Sequence, residues 1–293
     1  MKFLSFGSVN RDITYRLDHI VREGETLPCG SMEEFWGGKG QNQCIALARA
    51  GADAYLAARV GQGDLAPLKD LLQNQYGVDP RYLAGDPAPT GHAIIQVSAA
   101  GQNSIIIYPG ANHTMDPAFI RRVLDGFRPG DVVLLQNEIN GVPEILREAK
   151  VRGLRVALNP SPFTPELLAW PLELVDLFVL NEVECQGFCG SEDPLALRAR
   201  YPQAEVVLTL GSRGSVFAGQ AGVLRQAIYR VPTVDTTAAG DTFTGYFLRR
   251  YYESGDPVSA LDLAARASAI AVTRRGAVPS IPRAEEVAAY FSE

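Results

Sequence analysis

The spacing of apolar positions predicts an alternation of strands and helices. Phe3 to Ser8 reads as a buried first strand ending in the polar run Gly7-Ser8-Val9-Asn10-Arg11-Asp12. Ile13 to Ile20 alternates loosely, as a strand leaving the main sheet does. A small apolar helix is predicted from Cys44 to Ala50, stopped by Gly51. Ala54 to Val60 is a strand, Gly61-Gln62-Gly63-Asp64 a turn, and a helix follows to about Tyr76. Gly91 to Val97 and Ser104 to Tyr108 form a hairpin around Gly101. No crossover helix follows it, which puts it outside a parallel sheet. Strands then recur at Asp131–Leu135, Leu154–Leu158, Val175–Leu180 and Val206–Leu210. Each ends in polar or glycine residues: Gln136-Asn137-Glu138, Asn159-Pro160-Ser161, Asn181-Glu182-Val183-Glu184 and Gly211-Ser212-Arg213-Gly214. Open parallel sheets bind ligands at that edge. Last, Val234-Asp235-Thr236-Thr237-Ala238-Ala239-Gly240-Asp241 runs into a periodic stretch, Phe243, Tyr246, Phe247 and Tyr251, a loop turning into a helix.

Composition narrows the class. The chain has 293 residues, 46% of them hydrophobic, enough for one large α/β domain spanning 1–293. A net charge of −6 without a basic block argues against nucleic acid or an anionic membrane as main partner. The N-terminus lacks the apolar core of a secretory signal. No apolar run approaches the about 20 residues of a membrane span. The four cysteines, Cys29, Cys44, Cys185 and Cys189, have no zinc-site spacing and are too sparse for a disulfide framework. A reducing cytoplasm is the expected location. The three histidines are scattered, and no internal repeat or linker interrupts the chain.

The chemistry concentrates at the loop before Phe243. The first amides of a helix lack intrahelical partners and carry positive potential. Ala238, Ala239 and Gly240 are small enough for an anion to approach those amides, and Asp241 beside them can accept a proton. Phosphoryl transfer to a hydroxyl requires an anion cradle of this kind beside a carboxylate. An ordinary helix start with an acidic first turn is the plain alternative. Gly37-Gly38-Lys39-Gly40-Gln41-Asn42-Gln43 is a second glycine-rich start. It is not a P-loop, because no glycine stands four residues before the Gly-Lys pair and no Ser or Thr follows.

In this order the two segments resemble the paired N- and C-terminal motifs of the ribokinase-like (phosphofructokinase-B) sugar kinases. The commonest form of the second motif has Gly where Ala238 stands, although the family's ribose kinases often carry Ala. The resemblance runs from Asn10 to Ser280. It implies a three-layer, Rossmann-like α/β fold with a mainly parallel sheet flanked by helices. A small β-sheet lid is expected from strands inserted at about 12–36 and 91–109, closing over the sugar and pairing with the lid of a second subunit in a homodimer.

The resemblance also implies roles for residues. Asp241 is the base, with the amides of Ala238, Ala239 and Gly240 as anion hole. Asn10, Asp12, Gly38, Lys39, Asn42 and Glu138 contact the sugar. Asn181, Thr209, Gly211, Ser212, Gly214 and Gly240 contact ATP, and Glu184 serves Mg²⁺. A K⁺ site is implied at the side chain of Asp235, carbonyls of Thr237, Ala271, Arg274 and Gly276, and Ser280. Several of these residues have plain structural readings beside the functional ones. Asn10-Arg11-Asp12 is also an ordinary turn. Asn181 and Glu184 also fit a helix cap with an acidic first turn. Arg213 also fits a tight turn into a following strand. Arg274, Arg275 and Gly276 also fit a helix C-terminus. Trp36 packs either over sugar carbons or into the core, and Cys185 and Cys189 are read as packing residues.

Three departures stand out. Ala265 replaces a His near the adenine, Arg11 and Asn137 leave room for a different acceptor, and about twenty residues between Glu184 and Val206 leave a shortened outer helix. The expected activity is ATP-dependent phosphorylation of a small sugar's primary hydroxyl, D-ribose to ribose 5-phosphate before others. Deoxyribose, a hexose or a nucleoside are alternative acceptors. A non-catalytic sugar- or nucleotide-binding regulator on the same scaffold is a third reading.

Overall fold

A computed structural model describes residues 1–291. In chain order the first half holds β1 (Lys2–Phe6), β2 (Asn10–Leu17), β3 (Ser31–Gly37), α1 (Lys39–Arg49), β4 (Asp53–Gly61), α2 (Leu65–Leu71), β5 (Asp79–Asp86), β6 (Gly91–Ser98), β7 (Asn103–Tyr108) and α3 (Pro117–Leu124). The second half holds β8 (Val132–Gln136), α4 (Val142–Val151), β9 (Arg155–Asn159), β10 (Leu177–Asn181), α5 (Glu182–Cys189), α6 (Pro194–Arg200), β11 (Glu205–Thr209), β12 (Ser215–Gly219), β13 (Gly222–Gln226), α7 (Ala239–Ser254), α8 (Pro257–Ala271) and α9 (Ala284–Tyr290).

Nine strands form one sheet in the order β13-β12-β11-β10-β9-β8-β1-β4-β5, all running the same way except β12, which is antiparallel to both of its neighbours. Alternate residues of its central strands feed opposite cores. Phe3, Val132 and Leu134 join Leu47, Phe247 and Ile270 on the side of α1, α7 and α8. Leu4, Phe6, Val133 and Leu135 join Phe119, Ile145 and Phe188 on the side of α3 to α6. A sheet buried on both faces needs continuous apolar runs, which is why these strands read so clearly. The chain reverses direction across the sheet at β1, which lies between β4 and β8. Such a switch point opens a crevice at the strand ends.

The second sheet has four strands, β3-β2-β6-β7. It contains the predicted hairpin and the strand expected to leave the main sheet.

Two glycines bring the two motifs together. A Cβ at Gly40 would stand 2.3 Å from the Ser8 amide, so α1 begins almost on the end of β1. A Cβ at Gly245 would stand 2.4 Å from that of Ala46, so α7 packs closely along α1. Three other helices start with Asp then Pro, at Asp116-Pro117, Asp193-Pro194 and Asp256-Pro257, the carboxylate accepting first-turn amides. No side chain caps α7.

The structure corrects the sequence reading in three places. Helix α1 starts at Lys39 rather than Cys44, since the polar residues Gln41, Asn42 and Gln43 are helical and buried. Strands β5 and β13 extend the sheet at its two edges, where the alternation is weak or broken by Pro80 and Gly85, while β12 is the strand that the turn at Arg213 leads into. The shortened stretch after Glu184 holds the two short helices α5 and α6. Among the described residues no helix is long and apolar enough to cross a membrane.

Candidate active site

The crevice at the strand ends holds a cavity of about 210 Å³. Lys39, Asn159, Asn181, Glu184, Thr209, Thr236, Ala238, Gly240 and Asp241 are among its lining residues. They come from α1, β9, β10, α5, β11 and the start of α7, so most of the fold converges here. A larger open hollow of about 570 Å³ lies among Lys69, Gln73, Asp79 and Arg81. There Asp79 and Arg81 satisfy each other, leaving no convergent chemistry.

Asp241 lies in the first turn of α7 and is 8% exposed. Its Oδ2 accepts from Asn42 Nδ2 at 3.0 Å and its Oδ1 from Gln43 Nε2 at 2.9 Å. The amides of Ala238, Gly240 and Asp241 meet no acceptor among the described residues. Ala239 differs: its amide donates to Thr236 O at 3.2 Å in the turn entering the helix, so it is not open to an anion. The open set is therefore Ala238, Gly240 and Asp241 in place of Ala238, Ala239 and Gly240. The turn that presents them holds Ala238 at φ 59°, the one non-glycine described residue in the left-handed region.

Lys39 opens α1. Its amide donates to Glu138 Oε2 at 2.9 Å, and the same oxygen accepts from Ser8 Oγ. Burial lowers the pKa of its ammonium, but Asp241, Glu138 and Glu184 outweigh that and raise it above the ordinary lysine range. A half-buried cation thus faces several carboxylates at once. Gly38 caps the helix at φ 94°. The missing side chains at Gly37 and Gly40 make room for the chain's own atoms, the Asp12 carboxylate and the Gly7–Ser8 backbone.

Asp12 lies on β2 and its carboxyl is pushed up to about 6 by burial first, then by Glu138 and Asp241. Asn10 is also buried, and its Oδ1 accepts from Asn112 Nδ2 at 2.8 Å. Asn112 is pinned in turn by Val9 N at 3.0 Å, which leaves the Asn10 amide nitrogen unengaged by that pair. Asn42 Oδ1 is buried without a partner. Trp36 is half-buried, packs against the core and carries the Arg11 guanidinium 5.0 Å above its ring.

Asn181 and Glu184 form a reciprocal capping box on α5: Asn181 Oδ1 accepts from Glu184 N at 2.9 Å, and Glu184 Oε2 from Asn181 N at 2.9 Å. The cap reading is therefore realised, while both residues still line the cavity. Glu184 retains Oε1, which makes no hydrogen bond to the protein, and oxygen donors of this type suit Mg²⁺. Thr209 lines the cavity, whereas Gly211, Ser212 and Gly214 lie in the turn beyond it and are not part of the lining. Arg213 in that turn pairs with Glu182 at 3.0 Å and Glu192 at 3.4 Å, outside the cavity.

Three of the proposed cation ligands meet. Asp235 Oδ2 accepts from Gly276 N at 2.9 Å and its Oδ1 from Thr237 N at 2.9 Å, so the loop before α7 is tied to the one after α8. Carbonyls of Thr237, Arg274 and Gly276 accept no hydrogen bond from the described residues. Ala271 O accepts from Arg274 N at 3.1 Å, and Ser280 Oγ donates to Ala277 O at 2.7 Å while keeping its lone pairs. An all-oxygen set of this kind fits a hard cation.

Gln43, Gln136, Asn159 and Asn112 escaped assignment from sequence. For Gln136 and Asn159 the signal was their position at strand ends; for Gln43 it was only that it fell inside the glycine motif.

The profile described as pfkB family carbohydrate kinase matches residues 2–284. The ribokinase of Staphylococcus aureus (strain COL) is 36% identical over 303 residues, covering 98% of this chain and 98% of that protein. The deoxyribokinase of Salmonella typhi is 30% identical over 303 residues, covering 100% and 99%. The structure of Arabidopsis thaliana ribokinase complexed with ribose and ATP superposes with a TM-score of 0.86 at 30% identity, covering 100% of this chain and 99% of that one.

Proposed function

Because the chain belongs to the pfkB family of carbohydrate kinases, we propose that it transfers the terminal phosphoryl group of ATP to the primary hydroxyl of a small sugar, D-ribose to ribose 5-phosphate. The observation that carries this is Asp241. It faces a cavity with both oxygens held by donors from the glycine motif, beside three open amides of a helix start.

In this reading Asp241 accepts the proton of the sugar hydroxyl, whose oxygen attacks the γ-phosphorus in line. The amides of Ala238, Gly240 and Asp241 hold the charge on the phosphoryl oxygens. Asn10, Asp12, Gly38, Lys39, Asn42 and Glu138 grip the sugar, the unpartnered Asn42 Oδ1 accepting one of its hydroxyls. Thr209 and Asn181, with the turn at Gly211, Ser212 and Gly214, lie along the nucleotide. Glu184 would hold Mg²⁺, which supplies charge neutralisation on the phosphates when bound. K⁺ among Asp235, Thr237, Ala271, Arg274, Gly276 and Ser280 would order the loop that carries the anion hole. The four-stranded sheet serves as lid and, through its exposed apolar residues, as the surface of a cytoplasmic homodimer. Lid closure excludes water as a competing acceptor.

Asp241→Asn tests the reading. Turnover should fall by at least about a hundredfold, as for loss of a general base, with ribose and ATP binding near normal. Near-normal turnover would overturn it. The similarity to a deoxyribokinase favours a second acceptor, 2-deoxyribose. An ATP-consumption assay over both pentoses, hexoses and nucleosides separates them.

A further inference from the structure

Gln43 stands next to the proposed sugar contact Asn42 but faces a different set of atoms. It is fully buried, and both of its polar side-chain atoms are hydrogen-bonded inside the protein. Its Nε2 donates to Asn159 Oδ1 at 2.8 Å and to Asp241 Oδ1 at 2.9 Å. Its Oε1 accepts from Gln136 Nε2 at 2.7 Å, and Gln136 is fully buried too. Asn159 in turn donates through Nδ2 to Val179 O at 2.8 Å.

The direction of every bond in this chain follows from its last member. A main-chain carbonyl can only accept, so Val179 O fixes Asn159 Nδ2 toward itself and Asn159 Oδ1 toward Gln43. Gln43 must then present its NH₂ group there, and the second hydrogen of that group points to Asp241 Oδ1. Gln136 Nε2 closes the other end. The amide of Gln43 cannot turn over without breaking three bonds.

The two oxygens of Asp241 are therefore unlike. Oδ1 faces a donor that cannot become an acceptor. Oδ2 faces Asn42 Nδ2 at 3.0 Å, whose own Oδ1 has no partner among the described residues. The Asn42 amide is free to rotate and offer that oxygen to a new O–H group.

We infer that Gln43 is a positioning residue which holds Oδ1 of Asp241 as a permanent acceptor and so assigns proton uptake to Oδ2. This rests on the reading of Asp241 as the base. In the transfer step the sugar O–H bond breaks, and its proton goes to Oδ2. The oxygen's electron pair forms the bond to the γ-phosphorus, and the bond from that phosphorus to the bridging oxygen breaks with its electrons leaving on ADP. Oδ1 keeps the Gln43 hydrogen bond throughout, so the carboxyl does not swing as it is protonated.

The test uses the full-length enzyme with ribose and ATP, followed by single-turnover phosphoryl transfer across pH. Charged groups around Asp241 are Lys39 from α1, Asp12 from β2, Glu184 across the cavity and Glu138 behind Lys39. All remain in Gln43→Met, which adds no charge, so a change in the acid limb reports the lost amide. The transfer rate should fall about thirtyfold or more, with sugar and ATP affinities within about threefold. The acid limb should rise by about one pH unit, since the ionised carboxylate has lost a donor. Ile45→Val, which loosens the same helix without touching an amide, should lower the melting temperature and leave rate and limb in place. If Gln43→Met does not fold, Asn159→Ala, which removes one of the three bonds that hold the Gln43 amide, should move rate and limb the same way and by less. A Gln43→Met enzyme with wild-type rate and acid limb, beside an inactive Asp241→Asn, overturns this inference alone. An active Asp241→Asn overturns the reading of the base and this inference with it.

Discussion

Asn42 and Asp241 stand 199 positions apart in the chain and 3.0 Å apart in space. Their hydrogen bond joins the glycine motif at the start of α1 to the small-residue turn at the start of α7. Two helix N-termini thus open side by side, held together by the close α1–α7 packing at Ala46 and Gly245. Neither motif is a site alone. One supplies donors and a half-buried ammonium, the other a carboxylate and open amides.

Asp12 gives the site a pH dependence. Its carboxyl titrates at about 6 in the fold against 3.8 for the usual side chain. The folded protein therefore keeps a proton that the unfolded chain has released, and stability falls as pH rises between those values. At neutral pH the ionised group disfavours the fold by about 3 kcal/mol. Asp12→Asn should thus raise the melting temperature by several degrees at pH 7.5 and little at pH 4.5, read by calorimetry. If the carboxylate accepts a sugar hydroxyl, ribose affinity should weaken below about pH 6 in the parent enzyme, and Asp12→Asn should bind ribose poorly at every pH. A variant no more stable at pH 7.5 would contradict the strain placed on Asp12.

How far the sequence could be read follows from the range of each signal. The buried strands announced themselves, because a sheet covered on both faces writes unbroken apolar runs such as Val132 to Leu135. Asp241, Asn181 and Glu184 were legible because a helix start is local: small residues, a cap and an acid stand within a few positions. The start of α1 was not, because Gln41, Asn42 and Gln43 are polar residues turned inward, and periodicity takes polar for exposed. That the Ala239 amide is already used depends on the Thr236 carbonyl and the handedness of the turn at Ala238, which composition does not encode. The bonds of Gln43 depend on partners from β8, β9 and α7, and only the assembled sheet names them.

Asp235 joins the loops on either side of the proposed cation site through Gly276 and Thr237. Asp235→Ala should release both and disorder the turn that presents the open amides. Turnover should fall by about tenfold or more and activation by K⁺ over Na⁺ should vanish, while ribose affinity holds. Each is measured by titrating the chloride salts at fixed ionic strength. Retained K⁺ activation in the variant would remove Asp235 from the ligand set.

The register of the four-stranded sheet sorts its exposed apolar residues. Asp12 pairs with Phe35 and Ala93, and Ala93 with Ile107, so these share one face. Phe35, Ile105 and Ile107 are 41%, 50% and 62% exposed, too much apolar surface for a face that also carries a proposed sugar contact, unless another chain covers it. Ile107→Glu should shift the protein toward monomer in sedimentation equilibrium and raise the ribose KM. Unchanged mass in the variant would exclude this face from a dimer.

Arg11 ties the four-stranded sheet, the proposed lid, to the body. On β2 it forms a two-bonded ion pair with Asp64, just before α2, a pair with Glu34 on β3, and a stack on Trp36. Asp64 also accepts from Thr90 Oγ1, which in turn accepts from Gly61 N at 2.9 Å, anchoring it to the end of β4. Asn10 and Asp12, on either side of Arg11, follow wherever that strand is held. Half-exposed ion pairs contribute little to global stability, about 1 kcal/mol or less. Arg11→Ala should therefore melt within a few degrees of the parent, and its effect should appear in function. A lid no longer fastened to Asp64 should hold the sugar contacts loosely, raising the ribose KM about tenfold at nearly constant ATP KM. It should also admit water, so ATP hydrolysis without sugar should rise above the parent's rate. Asp64→Asn, which keeps one hydrogen bond and removes the charge, should fall between the two. Parent-like ribose KM and hydrolysis in Arg11→Ala would show that the lid is positioned by its strands alone.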